Sequence, residues 1–560
     1  ANDRLYVHNR FSASVSAIEL TPETVSSETY YYDPTPDAIR DGRRFVYNTH
    51  EHSGLGQISC GSCHVDARMD RLAWDLGDPS GTVDSLGANN LGFGLPGLSQ
   101  GTTSPAFEPF HPMKGPMTTQ TMQDIIGHEP HHWRGDRAGI EAFAAAFVGL
   151  QGGDAQPSPT ELQAFEDFLA SVTYPPNPFR NFDNTLPTNV VLTGFTRTGR
   201  FGNAGQQLPN GNAQTGMNLY RNTTRRLDQG AVACVTCHTL PTGMGPDMRL
   251  NQGTGQYQPI APGPLGERHL GLVSIDGSTN VSMKIPQLRN MHEKAGFDVT
   301  QLRNRAGFGY AHDGAIDSIS RFISEPAFSV ASDQEVANLV AFMLAFAGSE
   351  LPNGSVSNPL IPPGPLSKDS HAAVGVQTTV LDGSAIPAAQ EALLASMLAQ
   401  ANANKVGLVA RGRIGGVARG FAYLGANNWK SDRTGENFTQ AALLATAVAG
   451  SELTITIVPR GSETRIGVDR DEDTFPDRTE VEACSDPADA TSVPGGPGTG
   501  LVGDVNGDLS VDLTDLATLL ANFGRGAPVS LSDGDIDDDD DVDLTDLALL
   551  LSNFGTTCGG

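Results

Sequence analysis

Two stretches of the chain carry the same apolar rhythm. In "ELQAFEDFLASV", starting at Glu161, Leu162, Phe165 and Phe168 recur at helical spacing, and in "EVANLVAFMLAF", starting at Glu335, Val336, Leu339 and Phe342 do the same. Each is preceded by a serine at capping-box distance from a glutamate, Ser158/Glu161 and Ser332/Glu335. The offset that carries Glu161 onto Glu335 also relates their upstream neighbours: "GRRFVYNTHEHSGLGQISCGSCH" from Gly42 lies over "GMNLYRNTTRRLDQGAVACVTCH" from Gly216 without a gap. Between them, "MKGP" at Met113 pairs with "MKIP" at Met283. "WRGDRAGIEAF" from Trp133 pairs with "HDGAIDSISRF" from His312, matching Gly135 with Gly314, Ile140 with Ile319 and Phe143 with Phe322. The pattern predicts one mainly helical domain present twice, over residues 30–180 and 181–350.

Other periodicities divide the remaining chain. "RLYVHNRFSASVSAIEL" reads as two short strands about a turn, within residues 1–25. Residues 355–465 predict a small β-rich domain, with a helix over Ala388–Ala401 and strands in "KVGLVARGRI" and "ELTITIVPRG". After an acidic loop at 466–492 and a Pro/Gly linker at 493–500, residues 501–560 repeat themselves. "GDVNGDLSVDLTDLATLLANFG" from Gly503 returns as "GDIDDDDDVDLTDLALLLSNFG" from Gly534, predicting helices over Leu516–Phe523 and Leu547–Phe554. The longest helical apolar run, Val336–Ala347, is far short of the roughly 20 residues a membrane span needs. The fold class expected is therefore multidomain: two mainly α domains from an internal duplication, a small β-rich domain, and a C-terminal α module with EF-hand-like loops.

The formal charge of −28 argues against nucleic-acid or anionic-membrane partners, which want clustered Lys and Arg, although much of the acidity lies after residue 468. The chain begins at Ala1 without an initiator Met or a charged-then-apolar leader, which reads as a processed chain or a fragment.

The chemistry sits in the repeat. Each copy holds C-x-x-C-H: Cys60, Cys63, His64 and Cys234, Cys237, His238. This is the attachment signature of c-type haem. Two thiols one helical turn apart reach both vinyl groups of a porphyrin, and the adjoining imidazole takes the iron. A four-cysteine zinc site usually sets its pairs about 12–20 residues apart, and a thioredoxin-like pair needs a βαβ context; neither pattern is present. Two covalent haem c groups are the cofactors expected.

These paired units, with "KIPQLRN" (Lys284–Asn290) and "YAHDG" (Tyr310–Gly314), resemble the bacterial dihaem cytochrome c peroxidases and the related MauG enzymes. The resemblance covers about residues 30–350 and is stronger in the second half. In the first half "HWRGDR" at His132 stands where that family shows an aromatic-Trp-Asp-Gly motif. The resemblance implies two cytochrome c folds whose haems face one interface, one receiving peroxide and the other relaying electrons from a small donor protein. It also implies a tryptophan between them, which by position is Trp133.

The ligand opposite each proximal histidine separates catalysis from electron transfer. For the second haem the resemblance points to His312; the alternatives are that Met283, 45 residues after His238, ligates the iron or that neither residue does, and the place where many relatives carry a downstream methionine is taken by Pro326. For the first, no histidine lies between His64 and His111. His128, His131 and His132 cluster beside Glu129, either as an iron ligand, as an acid/base pair of the kind Glu129 and His132 would form, or as ordinary packed histidines, and Met113 is a weaker candidate.

The tail points to calcium, at about three sites. "DRDEDTFPDRTE" places Asp469, Asp471, Asp473, Asp477 and Glu480 at positions 1, 3, 5, 9 and 12 of a loop, with Thr474 where glycine is usual. The later repeat does so with Asp504, Asn506, Asp508, Asp512 and Asp515, then Asp535, Asp537, Asp539, Asp543 and Asp546. The pair resembles a type I dockerin, which implies a cohesin-like partner, and the first loop is similar to acidic loops of secreted bacterial proteins. Cys484 and Cys558 flank the module and suit a disulfide in an oxidising compartment. The opening strands resemble the end of a YVTN-type β-propeller. The expectation is an extracytoplasmic dihaem oxidoreductase, peroxidase-like, in the periplasm, at the cell surface or secreted. A non-catalytic dihaem electron carrier or a dihaem oxygenase are the alternatives.

Overall fold

The computed structural model describes residues 3–30, 33, 35–82, 115–251, 253–259, 271–272, 283–294, 309–496 and 500–558. The chain divides into two compact units, one formed by Thr35–Ala372 and the other by Ala1–Pro34 with Ala373–Gly560.

In the Thr35–Ala372 unit both copies of the repeat open with a helix, Asp37–Tyr47 and Ala213–Tyr220, and close with another, Pro159–Ser171 and Asp333–Leu344. The opening and closing helices cross at a glycine in each copy. A Cβ on Gly42 would lie 2.0 Å from the Ala164 carbonyl oxygen and 2.5 Å from Phe168 Cβ. One on Gly216 would lie 2.0 Å from the Asn338 oxygen and 2.8 Å from Phe342 Cβ. All four contacts keep the offset that relates Glu161 to Glu335. Around these crossings Phe45, Phe147, Phe165 and Leu169 bury one core, and Tyr220, Leu240, Phe342 and Phe346 another. Between the helices the copies are mostly turns and two-stranded ladders, less helical than the apolar rhythm predicts.

Ser158 caps its helix reciprocally with Glu161. Ser332 also accepts from Glu335 N, but the Glu335 carboxylate accepts from Ala331 N and pairs with Arg225, so the expected second box is half formed.

The domain boundary expected at 355 lies at 372/373. Residues 351–372 belong with the repeats because they satisfy polar groups there: Thr236 Oγ1 donates to Leu360 O at 2.8 Å, and Tyr174 and Lys368–Ser370 exchange backbone bonds.

In the other unit, six antiparallel strands run in the order Gln377–Val380, Leu453–Val458, Gly407–Ile414, Val417–Gly425, Asn428–Ser431, Asn437–Thr439. Leu453, Ile455 and Ile457 are buried and alternate with threonines, as one covered face requires. The Ala388–Asn402 helix buries Leu394 and Met397. The N-terminal stretch forms three strands, Arg4–Asn9, Ser14–Leu20 and Glu23–Tyr30, one more than expected. The acidic loop is continuous with the β domain, since Arg478 N donates to Asp432 O at 2.8 Å.

The 501–560 module has an internal dyad. Val511, Leu519, Val542 and Leu550 are fully buried and match in the register of the repeat, Val511 with Val542 and Leu519 with Leu550. Gly503, at φ +100°, backs onto Leu550 and Gly534, at φ +112°, onto Leu519, conformations that favour glycine. Its helices are Leu513–Asn522 and Leu544–Ser552, each starting nearly a turn earlier than predicted, because Asp512 and Asp543 cap them in reciprocal boxes with Asp515 and Asp546. Cys484 and Cys558 form a disulfide with Cα atoms 5.2 Å apart. Among the described residues no helix is long and apolar enough to cross a membrane.

Candidate functional site

Both C-x-x-C-H segments fold as one tight helical turn. His64 N donates to Cys60 O at 2.8 Å, and His238 N to Cys234 O at 2.9 Å. The imidazoles are then oriented alike. His64 Nδ1 lies 2.8 Å from Gln120 O, and His238 Nδ1 lies 2.8 Å from Gly243 O and 3.2 Å from Pro286 O. A carbonyl only accepts, so Nδ1 carries the proton in each ring and Nε2 keeps the lone pair that ligates a metal. Burial lowers the pKa of both histidines and holds them neutral, the ligating form. Cys60, Cys63, Cys234 and Cys237 form no disulfide, whereas Cys484 and Cys558 are bonded to each other. Burial pushes Cys60 up to about 11 and Cys234 up to about 12, and raises Cys63 and Cys237. The residues fit covalent haem.

Gln120 and Pro286 also correct the repeat. Met117–Thr118 and Met283–Lys284 are equivalent strands. Downstream of them Met122 N bonds Ala67 O as Leu288 N bonds Thr242 O, and Asp124 N bonds Val172 O as Asn290 N bonds Phe346 O. "MKIP" therefore matches residues 117–120, not the "MKGP" at 113–116, of which Met113 and Lys114, like His111, lie outside the described residues. The proline motif was the stronger letter match; the carbonyl beneath the imidazole is what both copies preserve.

The matched turns at Trp133 and His312 agree closely. His131 and Arg137 bridge as Tyr310 and Ile316 do, and Gly135 and Gly314 both adopt positive φ, +65° and +73°. The two turns meet. The Trp133 and His312 rings are 6.5 Å apart, edge to face, and backbone bonds are exchanged across the contact, Lys284 N to Trp133 O and Thr118 N to His312 O, both at 2.7 Å. Trp133 is buried, with Nε1 donating to Thr118 O at 2.8 Å. Lys294 Nζ lies 4.5 Å over its ring. Met283 sits on the strand beside Lys284.

The histidine cluster divides differently from the expected Glu129–His132 pair. His132 Nδ1 is 3.0 Å from Asp136 Oδ1, while Glu129 faces His131 at 3.9 Å and accepts from Gly127 N. His128 Nε2 is 3.3 Å from Asp124. Burial, with Lys284 nearby, pulls His131 down to about 3. The sequence showed no sign of the buried pair between Asp124 and Arg289 across the halves, with the guanidinium 4.3 Å over the Tyr174 ring. Burial pulls the Asp124 pKa upward, but His128 and Arg289 outweigh it and hold the carboxyl low. Realigning the repeats on the histidine-bound carbonyls would have put Asp124 opposite Asn290, next to Arg289.

In the 469–480 loop, oxygens of Asp469, Asp471 and Asp473 lie within 4.8 Å of one another. Asp469 Oδ1, Asp471 Oδ2, Asp473 Oδ2 and both Glu480 carboxylate oxygens are buried without a hydrogen-bond partner. Burial, then the neighbouring carboxylates, push Asp471 up to about 6 and Glu480 up to about 8. Such orphaned oxygens fit a divalent cation. Asp477 does not join them: it accepts from Arg470 N at 2.8 Å and Arg470 Nε at 2.9 Å, and so braces the loop.

The later loops are built from backbone. Asp504 accepts from Gly507 N and Leu509 N at 2.8 Å, and Asp515 accepts from Val505 N at 2.9 Å and Asp512 N at 2.8 Å. Asn506 Oδ1 accepts from Asp508 N at 2.8 Å, and Asp512 and Asp543 turn to their helix caps. Asp504, Asp508 and Asp515 converge. So do Asp535, Asp537 and Asp539, and beside them Asp543, Asp546 and Asp541, the last a residue the position rule overlooks.

No family model and no curated protein matches the chain. Among solved structures the chain is similar to hydrazine synthase of Kuenenia stuttgartiensis, solved under 20 bar xenon. The identity is 15%, covering 56% of this chain and 89% of that one, with a TM-score of 0.30.

Proposed function

We propose that the chain is an extracytoplasmic dihaem c-type oxidoreductase of the peroxidase-like kind, with a calcium-binding, dockerin-like tail. One observation carries this reading: two C-x-x-C-H turns, each with its imidazole Nδ1 proton given to a backbone carbonyl, in two copies of one unit. Haem bound there would supply the one-electron iron chemistry by which peroxide or a related oxidant is reduced. Cys60, Cys63, Cys234 and Cys237 would tether the two groups, and His64 and His238 would hold the irons. Trp133 and His312 occupy the contact between the halves, where electrons would cross, and a small redox protein is the donor class. Calcium in the 469–480 loop rests on its orphaned oxygens, through Asp469, Asp471, Asp473 and Glu480. The two tail loops would bind it through Asp504, Asp508 and Asp515 and through Asp535 and its neighbours, and present the module to a cohesin-like partner.

Low-temperature EPR of the oxidised protein, alone and as H312A, tests the reading. A high-spin signal from one iron supports an open, peroxide-accepting site. Two low-spin signals favour a dihaem electron carrier. Loss of one low-spin signal in H312A identifies His312 as a ligand.

A further inference from the structure

Trp133 stands at the contact between the two halves in an unusual electrostatic setting. Lys294, on the short helix Met291–Lys294, holds Nζ 4.5 Å from the ring centroid. The first half clamps that helix: Arg68 pairs with Glu293 at 3.4 Å and Arg71 Nε donates to Glu293 O at 3.0 Å. Burial brings the Lys294 ammonium down to about 8, so it is charged at neutral pH. The indole Nε1–H meanwhile points at the Thr118 carbonyl at 2.8 Å. An indole that loses an electron becomes a cation radical and normally relaxes by shedding its Nε1 proton. An amide carbonyl is too weak a base to take it, and the ammonium repels the new positive charge.

The chain's other tryptophans lack this combination. Trp74 is exposed and its Nε1 donates to the Asp70 carboxylate, a usable base, at 2.6 Å. Trp429 donates to the Gln440 side-chain oxygen at 2.6 Å.

We propose that Lys294 is a positioning residue for electron transfer: its ammonium keeps Trp133 closed-shell, so that single electrons passing between the halves tunnel through the indole without residing on it. The electron leaving the donor side arrives at the acceptor side. Trp133 has the same electron count before and after, and no proton moves. The proposal rests on the dihaem reading for its purpose, but its physical content, an indole made hard to oxidise, is testable apart from it.

The experiment exposes the full-chain holoprotein at pH 6.5 to photogenerated ruthenium(III) tris-bipyridine, a one-electron oxidant. Tryptic mass spectrometry then measures oxidation at Trp133 relative to Trp74. Lys294→Met is expected to raise that ratio at least tenfold, and Lys294→Arg, which keeps the cation, to stay within twofold of the parent. Lys294→Gln serves as a second neutral variant should the methionine form fold poorly. No rise in the neutral variants, or an equal rise in Lys294→Arg, overturns the proposal. Pyridine haemochrome on the same samples counts the haems. Their absence would sink the dihaem reading while leaving this comparison intact, because ruthenium oxidises the indole directly.

Discussion

Glu480→Gln isolates the electrostatics of the 469–480 loop. The Glu480 side chain is fully buried, both its oxygens lack partners, and burial with four neighbouring aspartates raises its carboxyl from an ordinary 4.5 to about 8. A raised carboxyl pKa means the fold resists ionisation. Below pH 4.5 the group is protonated whether folded or unfolded and costs nothing; the cost then grows until pH passes 8. At pH 7 the ceiling is roughly 3.4 kcal/mol at 1.36 kcal/mol per unit, and water reaching the rim of the loop reduces it to about 1–2 kcal/mol. Without calcium at pH 7, Glu480→Gln should therefore be more stable than the parent by about 1–2 kcal/mol, a gain that vanishes by pH 4.5. With calcium the order reverses, because the parent gains a ligand pair that the amide cannot supply. Urea unfolding followed through the fluorescence of buried Trp429, in chelator and in calcium, measures both. A variant less stable than the parent in chelator at pH 7, or one gaining as much from calcium, refutes the reasoning.

Breaking the Cys484–Cys558 disulfide by Cys558→Ser opens a closure of 74 residues, worth about 4 kcal/mol by chain entropy, and should lower the unfolding midpoint of the tail under non-reducing conditions. Arg289→Met removes the guanidinium partner of buried Asp124, leaving it His128 and the Lys368 amide, and should cost about 3 kcal/mol in thermal or urea unfolding, whereas Asp124→Leu with Arg289→Met should cost less than the single change. Gly216→Ala drives a Cβ to 2.0 Å from the Asn338 carbonyl and should cost about 1–3 kcal/mol in urea unfolding, with Gly42→Ala doing the same in the other copy.

Local rules made much of the chain readable. Apolar spacing marked the closing helices, Pro159–Ser171 because one face is covered and Asp333–Leu344 because it is buried all round from Val336 on, and the repeat from Gly503 to Gly534 marked the tail because its two loops are built on the same oxygens. What escaped depends on partners distant in sequence. Gln120 and Pro286 share a role through their carbonyls, which side-chain letters do not encode. Lys294 reads as an ordinary helix cation until Trp133, from the other copy of the repeat, is brought beneath it. Asp477 has the loop position of a ligand, yet the preceding Arg470 takes its carboxylate. The tail helices start early because Asp512 and Asp543, read from the sequence as loop positions, also cap helices. Trp133 and His312, aligned only as repeat equivalents, turn out to touch.

The most direct measurement is the haem count on polypeptide that has been denatured and extracted with acid acetone. A pyridine haemochrome of the c type and a mass increment of two porphyrins per chain are expected, falling to one in Cys60→Ala/Cys63→Ala and to one in Cys234→Ala/Cys237→Ala. An intact parent chain at its bare polypeptide mass, with no haemochrome band, would contradict the dihaem reading.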